Sequence, residues 1–480
     1  MNDPRPTACR DRWTGARSAA AWLVLLAAVP ALGAPSPAEE TRSLLLAGQP
    51  RAAIAYGRSE LRSDSAQVEL RTVLAWAYVM RDMICMPLPV AADRFRMAEG
   101  PLHCDAAFIP PATRDTVRSV FETGVELSGG SSESRLPELE FAYRFGSRAE
   151  LETALSAAAA ADSAAAATRL AFLLRSTDRP ASGAAAARYL ALVYAESLKS
   201  ADRDGLVTAL FRDGDVATAS RLVHSPAAGP GDSSPIEPYI AGLAGYGRYR
   251  ELWDYTRQSP RSAPEVYFRH ALTSALAAAH FDLAAARARL AHEADNAGAF
   301  PAPAREVLTA LAALLAAEPA PAEAWAALAT HPFCTSQAFE TVRLLLHTHA
   351  LRLDPKRVDS AAAVTDELER SAFGRPAAEC QERLAAELEA TDPAREHALR
   401  RSAQGFFAIE ADRECRAVLS RIAVPEPTDR LIDGAAAFRL GERQAAMAAL
   451  EEAKAATGGP PALAWTAKRL QKAAAELPAR

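Results

Sequence analysis

The chain has 480 residues, half of them hydrophobic and 7% aromatic, with a formal net charge of −5. That is ample apolar material for a core, and the acidic balance, with arginines scattered among aspartates and glutamates, excludes the basic stripe of a nucleic-acid binder. Alanine is the commonest residue and the best helix former, while β-branched segments of period two are almost absent, so the expected fold class is all-α.

Arg5, Arg10, Arg12 and Arg17 precede an apolar run from Ala19 to Val29, which Pro30-Ala31-Leu32-Gly33-Ala34 closes. A charged stretch, a short apolar run, a helix breaker and small residues form a cleavable export signal, residues 1–33, cut after Gly33. The run falls short of the ~20 residues that span a bilayer. Cys9 lies upstream of it, away from the cleavage point. The mature protein is expected in the periplasm or outside the cell, without a transmembrane segment.

An N-terminal helical array is expected over 38–224. It begins with a helix pair in LLLAGQPRAAIAYGRSEL, turning at Gly48. An irregular insertion follows over 83–115, because Pro87, Pro89, Pro101, Pro110 and Pro111 forbid a continuous helix. Cys85 and Cys104 flank it, and an oxidising compartment favours a disulfide between them. The same region carries Met80, Met83, Met86, Met97 and His103, a donor set that suits Cu(I). Met80 and Met83 also continue a helix, where methionine fills gaps in a core.

Three segments then read aromatic-Arg-x-Gly: Tyr143-Arg144 before Gly146, Phe211-Arg212 before Gly214 and Phe438-Arg439 before Gly441. Gly146 and Gly214 lie 68 residues apart, twice 34. Further turns are expected at Gly247 and Ala279, with weaker ones near Ala317, Gly374 and Glu410. Five residues after the turns stand Ala53, Leu151, Ala219, Ala284 and Ala446, with Leu252 in the same slot after Gly247. A residue able to adopt the left-handed conformation ends one helix, and a small residue lets the next pack back closely. Ser225–Pro238 has the composition of a linker and would separate the first array from a second over 239–478. Cys415 falls in a small-residue slot, whereas Cys334 and Cys380 have no spacing that pairs them. Glu138 and Glu140 read as a solvated helix start.

This pattern resembles the tetratricopeptide repeat family, most closely in GAAAFRLGERQAAMAALEEAKAATGGPP, where Gly434, Gly441, Ala446 and Ala453 occupy the small-residue and turn positions. The resemblance implies an α-solenoid of stacked antiparallel helix pairs in a right-handed superhelix. It also implies a groove lined by first helices that binds a peptide from another protein, here one of the cell envelope. Tyr143, Arg144, Phe211, Arg212, Phe438 and Arg439 would be the groove residues, each pair offering apolar contact and a carboxylate clamp.

The chain has no G-x-S-x-G, H-E-x-x-H, Walker or G-x-G-x-x-G motif. His347 and His349 are two apart, on different faces of a helix. His331 and Cys334 read as a loop rather than a dyad. The expected function is a non-catalytic interaction scaffold without a cofactor. The alternatives are a copper-handling protein using the methionine-rich insertion, and an all-α enzyme whose motif is not among these.

Overall fold

The computed structural model describes residues 35–86, 106–176, 180–193, 200–225, 236–258, 264–295, 300, 302–317, 320–371, 373–456 and 461–478. The expected export signal, the linker residues 226–235, and Met97, His103 and Cys104 of the insertion lie outside them.

The described residues open with α1 (Pro37–Leu46), α2 (Pro50–Ser63) and α3 (Val68–Asp82), then the short strands β1 (Ile84–Met86) and β2 (Ala106–Phe108). Helices α4 (Pro111–Leu127), α5 (Ser132–Phe145), α6 (Arg148–Ala161), α7 (Ser163–Ser176) and α8 (Pro180–Val193) follow. Next come α9 (Ser200–Arg212), α10 (Val216–His224), α11 (Ile236–Gly245), α12 (Tyr249–Thr256), α13 (Pro264–Ala279) and α14 (Leu283–Asp295). Then α15 (Ala302–Ala316), α16 (Ala322–Ala329), α17 (Glu340–Leu353), α18 (Val358–Arg370) and α19 (Gly374–Glu387). The last are α20 (Pro393–Ala408), α21 (Asp412–Leu419), α22 (Pro427–Arg439), α23 (Arg443–Ala455) and α24 (Pro461–Ala474). The all-α solenoid of successive antiparallel pairs is what the alanine content and periodicity predict.

The turns explain the period. Gly48, Gly214, Gly247 and Gly441 sit at φ of 70°, 74°, 65° and 74°. Each belongs to the same hydrogen-bonded helix stop, in which the turn residue and its successor donate backward, as Gly214 does to Phe211 O at 3.0 Å and Asp215 to Leu210 O at 2.9 Å. Glu410 adopts the same conformation at φ 61°, donating to Phe407 O while its successor Ala411 donates to Phe406 O. After these turns Ala53, Ala219, Leu252, Cys415 and Ala446 are buried, each within 1% of full burial. Cys415 is thus a packed small residue, as its slot suggests.

Three positions differ from expectation. Gly146 is extended (φ −80°, ψ 165°); a Cβ there would stand 2.6 Å from the Ala142 carbonyl oxygen, so crowding rather than left-handed backbone favours glycine. The turn expected at Ala279 comes two residues later, at Phe281, so Ala284 is exposed and Ala286 takes the buried slot. This restores a 34-residue step from Gly247 to Phe281. The described ends of the 83–115 segment carry regular structure. β1 and β2 pair antiparallel, with Cys85 opposite Ala107, and Pro111 opens α4 at the first helical position, where no backbone N–H is needed.

The chain forms two compact units, one of residues up to Ala186 together with those from Pro425, the other Ala187–Val424. Ser225–Pro238 is therefore not the boundary. Helices on either side of it pack together in the second unit, where Phe211 and His224 meet Tyr239 at ring-centroid distances of 5.9 and 6.2 Å. In the first unit, Trp76 packs edge-on against Phe121 and Phe141 at 6.2 and 6.3 Å. Glu140 is fully buried there, accepting from Arg144 Nε at 2.8 Å and from Arg169, so it is a paired core charge and not a solvated helix start. The second unit has a comparable centre in Arg343, which donates to Glu367 at 2.6 Å and to the Cys334 carbonyl at 2.7 Å.

Candidate functional site

Within the first unit, the beginning and end of the repeat array meet at the strand pair. Phe108 of β2 packs edge-on against Phe438 of α22 at 5.9 Å, and the Arg439 guanidinium lies over the Phe108 ring at 5.3 Å. Helix α24 packs on β1. From α24, Arg469 donates to the Asp82 carbonyl at 3.0 Å, and the Ala112 N–H donates to Glu476 just beyond it at 3.3 Å. The proline-rich insertion is therefore rooted in a clasp between repeats that are distant in sequence.

A pocket of about 720 Å³ opens at this clasp, lined by Arg51, Ile54, Arg81, Asp82, Trp465 and Arg469. Ile54 is buried and forms its apolar floor. Arg81 is held by two bonds to Asp82, at 2.8 and 2.5 Å, and lies 5.3 Å from the Tyr78 ring. Arg58 covers Tyr78 as well and donates to its hydroxyl at 2.6 Å, which fixes that ring. Asp82 also accepts from the Thr113 hydroxyl at 2.6 Å. Burial pushes the Asp82 carboxyl up, but the bonds from Arg81 and Thr113 and the charge of Arg469 outweigh it and hold it below the usual range. The bond to Asp82 in turn raises Arg81. Trp465 remains 54% exposed, with the Arg469 guanidinium 4.9 Å from its ring centroid. The arrangement presents cations beside an aromatic face on fixed helices, which is recognition chemistry.

The expected groove residues divide. Tyr143 and Phe211 are fully buried and Phe438 is 7% exposed, so these aromatics are core side chains, which corrects their reading as groove contacts. The reason is visible at Phe211. It packs where Gly242 of α11 approaches so closely that a Cβ would come within 2.4 Å of the ring. Arg144 is buried with Glu140. Arg212 and Arg439 are half-buried, and Arg439 serves the clasp.

The proposed copper donors separate in the same way. Met86 is fully buried, and Met80 and Met83 pack against the core cluster around Trp76, so they act as apolar filling. Among the described residues, no group of three or more His, Cys, Asp or Glu is placed to hold a metal ion. Burial pushes the Cys334 thiol up to about 11, away from the thiolate a nucleophile needs.

One further titratable cluster lies in the second unit. His349 of α17 packs against Trp325 at 4.0 Å and His280 at 5.1 Å, and His280 stacks on Tyr249 at 3.8 Å. Burial, with the neighbouring Arg352 charge, pushes His349 down to about 4; burial with His349 and Arg352 pushes His280 down to about 3. Both are neutral in the folded protein at neutral pH.

Sequence reasoning did not find Arg51, Arg81, Trp465 or Arg469. The available signal was α24 itself, which carries Trp465, Lys468, Arg469 and Lys472 with no acidic residue, against an acidic whole chain.

No protein-family model matches the chain, and no curated protein matches it in sequence. Among solved structures it is similar to the yeast Tom70 crystal structure, at 11% identity and a TM-score of 0.27, over 92% of this chain and 95% of that one. It is similar to the Naa15/Naa10 structure bound to HypK-THB, at 13% identity and a TM-score of 0.30, over 92% and 72%. The P58(IPK) TPR domain is a third, at 13% identity and a TM-score of 0.22, over 91% and 97%. The chain's own turn geometry and 34-residue step give it a helical-repeat fold that resembles the tetratricopeptide type.

Proposed function

We propose that this chain is an exported, non-catalytic scaffold that holds a partner protein in the cell envelope or outside the cell. The observation that carries the reading is the clasp pocket, where an exposed tryptophan and guanidinium groups stand on helices fixed by long-range contacts. Such pairings of aromatic and arginine dominate binding energy at protein interfaces. The one carboxylate of the lining, Asp82, is bonded to Arg81 and Thr113 and held below the usual range, so it is engaged as the anchor of Arg81.

The export reading rests on residues 5–34 of the sequence, and among the described residues no helix is long and apolar enough to cross a membrane. In an oxidising compartment, a Cys85–Cys104 disulfide would tie the insertion close to the strand pair that roots it in the clasp. Peptide mapping without reduction tests that bond.

Size-exclusion chromatography with light scattering, on the tagged mature chain drawn from its native envelope extract, tests the scaffold reading. A stoichiometric complex with an identified protein is expected. Recovery of the chain alone would sink the reading, as would cell fractionation that finds it in the cytoplasm with residues 1–33 still attached.

A further inference from the structure

We infer that the clasp pocket is the seat of an acidic segment of the partner, whose carboxylates meet Arg51 and Arg469 while an apolar side chain covers Trp465. This inference rests on the scaffold reading and names the chemistry of its partner.

The charge count in the pocket comes first. Three arginines line it against one carboxylate, and that carboxylate, Asp82, is already bonded by Arg81 and Thr113. Arg81 is thereby neutralised in place. Arg51 is exposed, and no carboxylate among the described residues pairs with it. Arg469 donates to a backbone carbonyl, faces the Trp465 ring and also acts on the Asp82 charge, but that single carboxylate cannot offset both Arg81 and Arg469. Two guanidinium groups are left to meet an anion, and their planar donors suit carboxylates.

The apolar half of the site is as specific. Trp76 and Trp325 are buried, at 8% and 2% exposure, whereas Trp465 is 54% exposed beside the buried Ile54. Covering an indole face yields most of the affinity, and the arginines select the sign of the ligand and speed its encounter. Lys468 and Lys472, exposed on the same helix, extend the positive field beyond the pocket. The whole chain is nevertheless acidic, at −5. A broad polyanion such as a lipid surface would meet that repulsion, while a short acidic segment reaches the pocket alone. The concavity, about 720 Å³ and open to solvent, takes a few side chains of a segment laid across it.

Fluorescence anisotropy on the mature full-length chain tests the inference. The probe is a labelled hexapeptide of alternating Glu and Phe, compared with the same peptide carrying Gln in place of Glu. The acidic peptide is expected to bind about tenfold tighter than the Gln peptide, with the difference shrinking in high salt. Arg51→Glu and Trp465→Ala should each weaken it by about tenfold. Both side chains are exposed, and unchanged helical circular dichroism will show that the fold is kept. Equal binding of the two peptides overturns the inference, and so does binding unaffected by Arg51→Glu. Phosphatidylglycerol vesicles that bind in place of the peptide, with the same dependence on Arg51, overturn it in favour of a lipid surface. If the native partner still co-purifies with the Arg51→Glu, Trp465→Ala double variant, the scaffold reading stands and this seat falls. If the unaltered chain has no partner, the scaffold reading itself falls.

Discussion

Arg469 donates a hydrogen bond to the backbone carbonyl of Asp82, 387 residues earlier in the chain. Around this bond the last helix, the penultimate pair and the strand-rooted insertion converge, with Phe108 and Phe438 in edge-on contact. Such contacts close very long loops, so they form late and report the integrity of the whole first unit. Phe438→Ala removes the aromatic partner of Phe108 and should destabilise that unit by about 3 kcal/mol. Hydrogen exchange should rise selectively at residues 84–86 and 106–108. A loss of protection spread evenly over the chain would show that the clasp is not a separate cooperative element.

Gly242 is required by Phe211. A Cβ at position 242 would lie 2.4 Å from the Phe211 ring, which is itself fully buried and in contact with Tyr239, Tyr246 and Phe373. Gly242→Ala should therefore destabilise the protein by about 1–3 kcal/mol despite alanine's better helix propensity. Combining it with Phe211→Leu should recover part of the loss, giving non-additive midpoints in a urea double-mutant cycle. Strict additivity would contradict the packing argument.

The repeat was legible because helix stops at Gly48, Gly214, Gly247 and Gly441 need a left-handed residue, and glycine announces that need. It faded where another residue performs the same task. Glu410 adopts the glycine conformation, and Phe281 ends a helix without glycine, so their neighbourhood read as a drifting period. The aromatic-arginine pairs were visible but placed on the wrong surface. An aromatic three residues before the turn packs toward the next repeat, as Phe211 does against Gly242. The strands β1 and β2 were invisible because three residues are too few to show a period. The pocket was the least legible, since Arg51, Asp82 and Trp465 share no local pattern and only the tertiary fold unites them.

Glu410 gives a direct test of the turn argument. A non-glycine residue in the left-handed region is strained by roughly 1 kcal/mol, and Glu410 sits there at φ 61°. Glu410→Gly should raise the stability by about that amount, less the added freedom of the unfolded chain. Glu410→Val should lower it by more, because a β-branched side chain tolerates this conformation least. Thermal midpoints of the two variants should move in opposite directions, and movement in the same direction would remove the strain from the account.

The pH dependence of stability follows chiefly from His280 and His349, with His347 held down by burial in the same direction. Burial holds their folded-state values at about 3 and about 4, against 6.5 for an unperturbed histidine. A histidine with a depressed value favours the folded state fully above its unfolded value and loses that contribution as pH falls. Between pH 6.5 and 5 the unfolded chain takes up protons that the folded chain refuses. That interval is about 1.5 units, so each ring should remove about 2 kcal/mol by pH 5. Most carboxylates titrate lower, so the histidines dominate this window. His349→Gln removes one titrating ring while keeping a polar group beside Trp325 and Arg352. Its unfolding free energy, measured in urea at both pH values, should fall by less than that of the unaltered chain, the remainder coming from His280 and from His347, which burial also holds down. An identical fall in both proteins would place the acid sensitivity elsewhere, and a chain equally stable at pH 6.5 and 5 would mean that neither ring is held neutral by burial.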